Sequence, residues 1–170
     1  MGKIKTQCPI CAQVEKTKEV PTSCFQCGAD YTNPGVEFVI NRAAHTAWGK
    51  GSVGGSQGTL VLTNLRLFWI ADGPTGAGAA IGGALGALME TAMTGGAGMR
   101  MCIPLSDILT LDDAKAGLAK VVQITSSSEG VIGRFSTHKQ NDQWKAAILN
   151  AVAQYGQQPP PPQPGPAPQP

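Results

Sequence analysis

Four of the five cysteines fall in the first 27 residues, as Cys8-x2-Cys11 and, after twelve intervening residues, Cys24-x2-Cys27. Each C-x2-C pair can wrap a tight turn around one side of a tetrahedral ion, so the two pairs together predict one small cross-linked module over residues 1–32. Pro9 stiffens the first turn, and Gly28 directly after Cys27 suits the positive φ that such turns often need. Four sulfurs with no nearby histidine favour one Zn²⁺ per chain in a closed structural site, with no open position for a catalytic water. Two disulfides or an iron–sulfur centre use the same residue type and stay open at this stage. A module of about 30 residues buries too little apolar surface to fold alone, so metal binding would supply its folding free energy. Between the pairs, Lys16 and Lys18 balance Glu15 and Glu19, which points the loop toward protein contact and away from phosphate.

The rest of the chain is read against its charge. At 170 residues and a formal net charge of +2, the chain is too short for a large two-domain enzyme and too weakly basic for a dedicated nucleic-acid binder. No apolar run follows the lysines of residues 1–5, so a secretory signal is not expected and the thiols are expected in the reducing cytoplasm. Gly2 and Thr6 do fit the short N-myristoylation pattern.

Residues 36–72 and 100–136 carry the β-branched and apolar runs of an antiparallel β domain. Thr59-Leu60-Val61-Leu62-Thr63, the turn-prone Asn64, then Leu65-Arg66-Leu67-Phe68-Trp69-Ile70 predict a hairpin, with Leu65, Leu67 and Trp69 on one face and Arg66 and Phe68 on the other. Val36 to Ile40, Arg100 to Pro104, Leu118 to Thr125 and Val131 to Ser136 are further strands. The period then changes: Trp144, Ile148, Ala151, Val152 and Tyr155 recur at helical spacing, with Asn141 as N-cap and Gly156 as the stop. Residues 157–170 form a Pro/Gln tail, expected to be extended or disordered. Separate cores would let the cysteine module and the β domain lose stability separately.

Two motifs suggest catalysis and are declined. Gly54-Gly55-Ser56-Gln57-Gly58 fits G-x-S-x-G, with Asp107, Asp112 and His138 following, but a strand and not a helix follows the serine. Gly49-Lys50-Gly51-Ser52-Val53-Gly54 fits G-x-G-x-x-G, again with no helix to receive a pyrophosphate. Cys102 reads as a small apolar strand residue and His45 as a packed or edge histidine, since neither has an orienting partner in the pattern. No enzymatic activity is expected.

Gly58 to Trp69 resembles the "G-x-L-x-L-T-N-x-R-L-x-F" hairpin of GRAM domains, which belong to the pleckstrin-homology-like superfold. Ile103-Pro104-Leu105-Ser106-Asp107-Ile108 resembles the "IPLSDI" segment that follows it. The resemblance covers about residues 36–156. It implies a mainly β (α+β) fold: a bent antiparallel barrel or sheet of about seven strands capped by a C-terminal helix. It also implies an adaptor that associates with a membrane surface, a lipid or a protein partner. Lys50, in the first hairpin loop, and Arg66, which matches the family's arginine, are the contact residues it suggests.

Between Asp72 and Arg100 stand 27 residues whose only charge is Glu90, a Gly/Ala-rich insert over 73–99. In a helix, Gly78, Gly82 and Gly86 would form a glycine-zipper stripe, with Ile81, Leu85 and Leu88 beside it. A passive loop, self-association and shallow membrane insertion all fit this pattern. The expectation is a cytoplasmic adaptor, peripheral at the membrane and bound to lipid or protein. The alternative is a zinc-ribbon assembly module with no lipid role that self-associates through the insert. No nucleic-acid partner is expected.

Overall fold

The computed structural model describes residues 3–33, 35–49, 57–72 and 98–156. Lys50, Gly78, Ile81, Gly82, Leu85, Gly86 and Leu88, with the whole insert stripe, Ser56 and the Pro/Gln tail, lie outside the described residues.

Strands β1 (Ile4–Gln7) and β2 (Val14–Thr17) pair antiparallel in a two-stranded sheet at the start of the cysteine module. The rest is one seven-stranded antiparallel sheet built from β3 (Val39–Gly49), β4 (Gln57–Thr63), β5 (Arg66–Ala71), β6 (Gly98–Pro104), β7 (Ile108–Ala116), β8 (Ala119–Ser126) and β9 (Gly130–Ser136). Its order is β6-β5-β4-β3-β9-β8-β7, so two meanders meet where the first strand pairs with the last. Among the described residues, Ala47 to Gly49 pair with Ser136 to Arg134, while the earlier part of β3 pairs with β4. A bulge between Ala43 and Thr46 bends β3 between its two partners, and exposed His45 sits in it at φ 55°. The expected bent sheet with a capping helix is the observed architecture, with helix α1 (Asn141–Tyr155) at its end.

The hairpin alternation is as the sequence predicts within the strands, but Leu65, expected on the inner face, precedes β5 and is half-buried outside the inner core. Leu60, Leu62, Leu67 and Trp69 join Trp48, Phe135, Trp144 and Ile148 in the inner core, whereas Val61, Phe68 and Ile70 lie on the other face. Helix α1 covers the inner face with Trp144, Ile148 and Ala151. Trp69 donates its indole N–H to Thr46, whose hydroxyl donates to the Gly58 carbonyl 2.9 Å away. Gly58 is therefore a close-approach position inside β4: a Cβ there would lie 2.2 Å from the Ile70 carbonyl oxygen.

Several expectations are corrected. Asn141 does not cap α1; it is the first helical residue, and its side chain accepts from the Thr137 N–H and donates to the Lys120 carbonyl, tying the helix to β8. Gly156 ends the helix at φ −64°, so no left-handed stop is used. The strand expected over Val36 to Ile40 begins only at Val39, because the Asn64 side chain takes the Phe38 N–H and the Val36 carbonyl in place of a ladder. Cys102 stands in β6 but is exposed. No helix among the described residues is long and apolar enough to cross a membrane.

Candidate metal centre

Two turns with the same hydrogen-bond plan present the cysteines. In the first, the Cys8 N–H donates to Gln13 O at 2.9 Å and the Ala12 N–H to Cys8 O at 2.9 Å. In the second, the Cys24 N–H donates to Ala29 O at 2.8 Å and the Gly28 N–H to Cys24 O at 2.8 Å. Both turns need a left-handed residue directly after their second cysteine: Gly28 takes φ 70°, as expected, and Ala12 takes φ 64° without the freedom of glycine. The Cys11 N–H also approaches the Cys8 sulfur at 3.5 Å, as in a turn that orients sulfur inward.

The turns bring all four sulfurs together. Cys8, Cys11, Cys24 and Cys27 are buried, and their Sγ atoms lie within 4.8 Å of one another. Cys8 pairs with Cys27 at 3.7 Å and Cys11 with Cys24 at 3.6 Å, each contact joining one turn to the other. A Zn–S bond of about 2.3 Å gives a tetrahedral S···S edge of about 3.8 Å, so the donor set fits that ion closely. A disulfide needs about 2.05 Å. All four cysteines are free, which removes the two-disulfide alternative in this structure. Burial pushes the Cys8 thiol above its ordinary value. The Cys27 thiol is pushed up strongly by its hydrogen bond with Cys11, then by burial. Thiolates so placed need a cation, since a buried charge without a partner is costly.

The shell around the sulfurs reaches into the large sheet. Ile10, Ala29 and the four cysteines share one apolar cluster with Val61, Phe68 and Ile70 of β4 and β5, with Tyr31 and Val39 packed against it. Three outer-face residues of the sheet thus belong to the cysteine module's cluster, while the inner core around Leu60, Trp69 and Trp144 is a separate one. Tyr31 donates its hydroxyl to the buried Glu15 carboxylate at 2.8 Å, closing the module on itself.

Each cysteine turn is also held by an arginine from the sheet. Arg66 grips Glu37 with a two-pronged fork, Nε to Oε1 at 2.7 Å and Nη2 to Oε2 at 2.8 Å, and donates Nη1 to the Cys27 carbonyl at 2.7 Å. Its guanidinium lies over the Phe68 ring, 5.2 Å from the centroid. Arg42 of β3 donates to the Ile10 carbonyl in the first turn. Arg42, Val61 and Phe68 are cross-strand neighbours, so these contacts lie along one row of the outer face. Of the expected contact residues, Arg66 is the one within the described residues, and it is engaged inside the molecule. Sequence reasoning missed Arg42, Glu37, Tyr31 and Glu15. The available signal was that Val61, Phe68 and Ile70 are apolar on the face opposite Leu60, Leu67 and Trp69, the pattern of a sheet buried on both sides.

Of the motifs that suggested catalysis, Ser56 and residues 50–54 lie outside the described residues. Asp107 is held by Ser127 and Ser128 at the β8–β9 turn, and strand β4 begins at Gln57 immediately after Ser56.

No family model matches the chain, and no curated protein matches it. Among solved structures it is similar to one described as the Vps36 N-terminal PH domain, at 13% sequence identity, over 81% of this chain and 94% of that chain, with a TM-score of 0.49.

Proposed function

We propose that this chain is a non-enzymatic adaptor in which a zinc ribbon is fixed to the outer face of a GRAM-like, pleckstrin-homology-like sheet, leaving the rim of that sheet for recognition of a membrane surface or a protein partner. The observation that carries this reading is the closed, buried four-sulfur shell: Cys8, Cys11, Cys24 and Cys27 all converge, with their sulfurs within 4.8 Å of one another. Four protein ligands saturate a tetrahedral ion, so Zn²⁺ there would act as a cross-link and would leave no coordination position for substrate. The residues around it serve the same end. Arg42 and Arg66 bind carbonyl groups of the cysteine turns, and Val61, Phe68 and Ile70 supply apolar surface that a module this small cannot provide for itself. In this reading Arg66 is a clamp between ribbon and sheet, not a partner contact.

Metal analysis of the purified chain tests the centre: one Zn²⁺ per chain is expected, and a Cys8→Ser, Cys27→Ser variant should hold none. Stoichiometric zinc in that variant, or iron in the wild type, overturns the zinc ribbon. Cosedimentation with anionic and neutral vesicles, beside pull-down by immobilised chain, tests the adaptor role. Binding in neither assay overturns it.

A further inference from the structure

The β1–β2 hairpin of the cysteine module sorts its charges by face. Cross-strand partners share a face and successive pairs alternate, so Thr6 and Glu15 lie on one side, while Lys5 with Lys16 and Gln7 with Val14 lie on the other. The first side is turned into the module: Glu15 is buried, and its carboxylate accepts from the Tyr31 hydroxyl. The second side is open, with Lys5, Gln7, Val14 and Lys16 all exposed. Lys3 and Lys18, also exposed, adjoin the terminal partners Ile4 and Thr17, so four lysines gather toward the open end of the hairpin. In sequence Glu15 and Glu19 balance Lys16 and Lys18. In space Glu15 is turned away, and among the described residues none of the four lysines has an ion-pair partner, Glu19 included.

This row opposes folding. Lys5 and Lys16 are direct partners across the ladder, and like charges placed directly opposite destabilise a sheet until an anion lies between them. Three observations select the anion. Lys3 and Lys5, and again Lys16 and Lys18, recur at every second residue, a spacing of about 6.6–6.8 Å in extended chain, which is also the spacing of alternate side chains in an extended peptide. Val14, 52% exposed, shares the face with Lys16 and offers an apolar contact that a phosphodiester backbone cannot use. The partner pairs of that face, Lys5 with Lys16 and Gln7 with Val14, include no arginine to fork a phosphate and no ring on which a base could stack.

We propose that the outer face of the β1–β2 hairpin is a docking surface for an extended acidic segment of a partner protein, with Lys3, Lys5, Lys16 and Lys18 pairing its carboxylates and Val14 meeting its apolar residues. Charge complementarity carries the choice of occupant, and the alternation of the hairpin sets the register in which acidic and apolar residues of the segment must follow one another. The proposal gives a chemistry to the protein partner of the adaptor reading and rests on that reading for its biological meaning. Its test is separate, because zinc content is measured on the same protein, so that an absent metal and an absent partner fail independently.

The test uses the full, zinc-replete chain with four probes: a short labelled peptide of alternating Glu and Val, its counterpart of alternating Lys and Val, an oligouridine RNA of the same length, and phosphatidylserine vesicles. Wild type should bind the Glu peptide more tightly than any other probe. Raising the salt from about 0.1 M to about 1 M, which shortens the Debye length from about 10 Å to about 3 Å, should release it. Lys5→Glu with Lys16→Glu should weaken Glu-peptide binding roughly thirtyfold, about 2 kcal/mol, as two exposed pairs turned from attraction to repulsion imply, and should take up the Lys peptide instead. That double variant again places like charges opposite each other, so its thermal midpoint should match wild type and unfolding cannot account for the loss. Should it fold poorly, Lys5→Gln with Lys16→Gln removes the opposed charges, should melt no lower than wild type, and should weaken binding roughly fivefold. Failure to bind the Glu peptide, or binding unchanged in both double variants, would overturn the surface. Tighter binding of the RNA or the vesicles than of the Glu peptide, lost in the same variants, would assign the lysines to another polyanion and overturn the protein partner.

Discussion

The two faces of the seven-stranded sheet are both buried, but by different chemistry. The inner face is covered by α1 mainly through apolar side chains: Trp144, Ile148 and Ala151 meet Leu60, Leu62, Leu67 and Trp69, and apolar area removed from water holds them, with Asn141 tying the helix start to the Lys120 carbonyl. The outer face is covered by a module with little apolar surface to offer, and there the contact mixes Val61, Phe68 and Ile70 with cysteine turns whose carbonyls are bound by Arg42 and Arg66. A helix brings its own regular backbone to the contact. The ribbon brings irregular turns, and their free carbonyls must find donors on the sheet. On the proposed reading, the cysteine module depends on two anchors, the ion its four sulfurs would hold and the sheet beneath it, while the inner core depends on neither.

The largest effect should come from removing the metal anchor. Structural zinc sites in finger-like peptides contribute about 10–16 kcal/mol of apparent binding free energy, so Cys8→Ser with Cys27→Ser should unfold residues 3–31 outright. Hydrogen exchange should then show lost protection in β1 and β2 and retained protection in β8, β9 and α1. The sheet should also become aggregation-prone, because Val61, Phe68 and Ile70 would face water. If exchange in β8 and α1 rises as much as in β1, the two faces are not independent and the comparison breaks.

The converse substitution is Trp144→Ala, which empties a position 1% exposed at the centre of the inner core. It should cost about 3–5 kcal/mol in denaturant unfolding. Zinc affinity at subdenaturing conditions should not change, since no inner-face residue belongs to the cysteine cluster.

How much of this was legible in the sequence follows from the same contrast. The cysteine spacing, the hairpin alternation and the helix stripe are local patterns, and each is found where it was expected. Strand β7 was missed because Asp112, Asp113 and Lys115 are poor strand formers and only Ile108 and Leu111 are buried in it. An edge strand protected by charge reads as a loop. The Arg66–Glu37 fork joins positions 29 apart, and the Arg66–Cys27 bond joins positions 39 apart, so no periodicity could announce either. Asn64 was read as a turn residue by propensity, which was incomplete: it is buried and its side chain organises Val36 and Phe38 as a pseudo-strand.

Arg66→Ala sharpens the comparison at the sheet anchor. It leaves Glu37 with the Thr63 hydroxyl in place of the fork and removes the Arg66 donor to the Cys27 carbonyl, and loss of hydrogen bonds to a charged group costs about 2 kcal/mol. Arg66→Lys should recover only part of this, because an ammonium cannot make the fork. Exchange in the second cysteine turn should quicken in both variants, more in the alanine. A global loss with that turn unaffected would mean that Arg66 serves the sheet alone.

A smaller effect isolates the turns themselves. Gly28→Ala meets no atom within 4 Å, so its only cost is the left-handed backbone at φ 70°. That cost is about 1–2 kcal/mol, and Ala12, at φ 64° in the companion turn, already bears it. Ala12→Gly should therefore stabilise the first turn by a similar or smaller amount, read as a lower zinc off-rate in competition with a chelator. Opposite signs for the two substitutions would confirm that the turns are equivalent in conformation.

The smallest effect belongs to Asp107, at the end of the short helical turn Leu105–Asp107 before β7. Asp107 is held below the usual carboxylate range by the Ser127 hydroxyl and then by the Ser128 hydroxyl, which lies at 2.7 Å. A folded value depressed below the unfolded value of about 3.9 gives stability that is present above that pH and lost as pH falls through the folded value. Asp107→Asn should therefore lower the thermal midpoint slightly at neutral pH, and the gap to wild type should close as the pH drops into the acid range. Acid also strips zinc from thiolates, but it does so in both proteins, so the difference between them isolates Asp107. A gap that stays constant through the acid range would show that the serines hold Asp107 by geometry and not by charge.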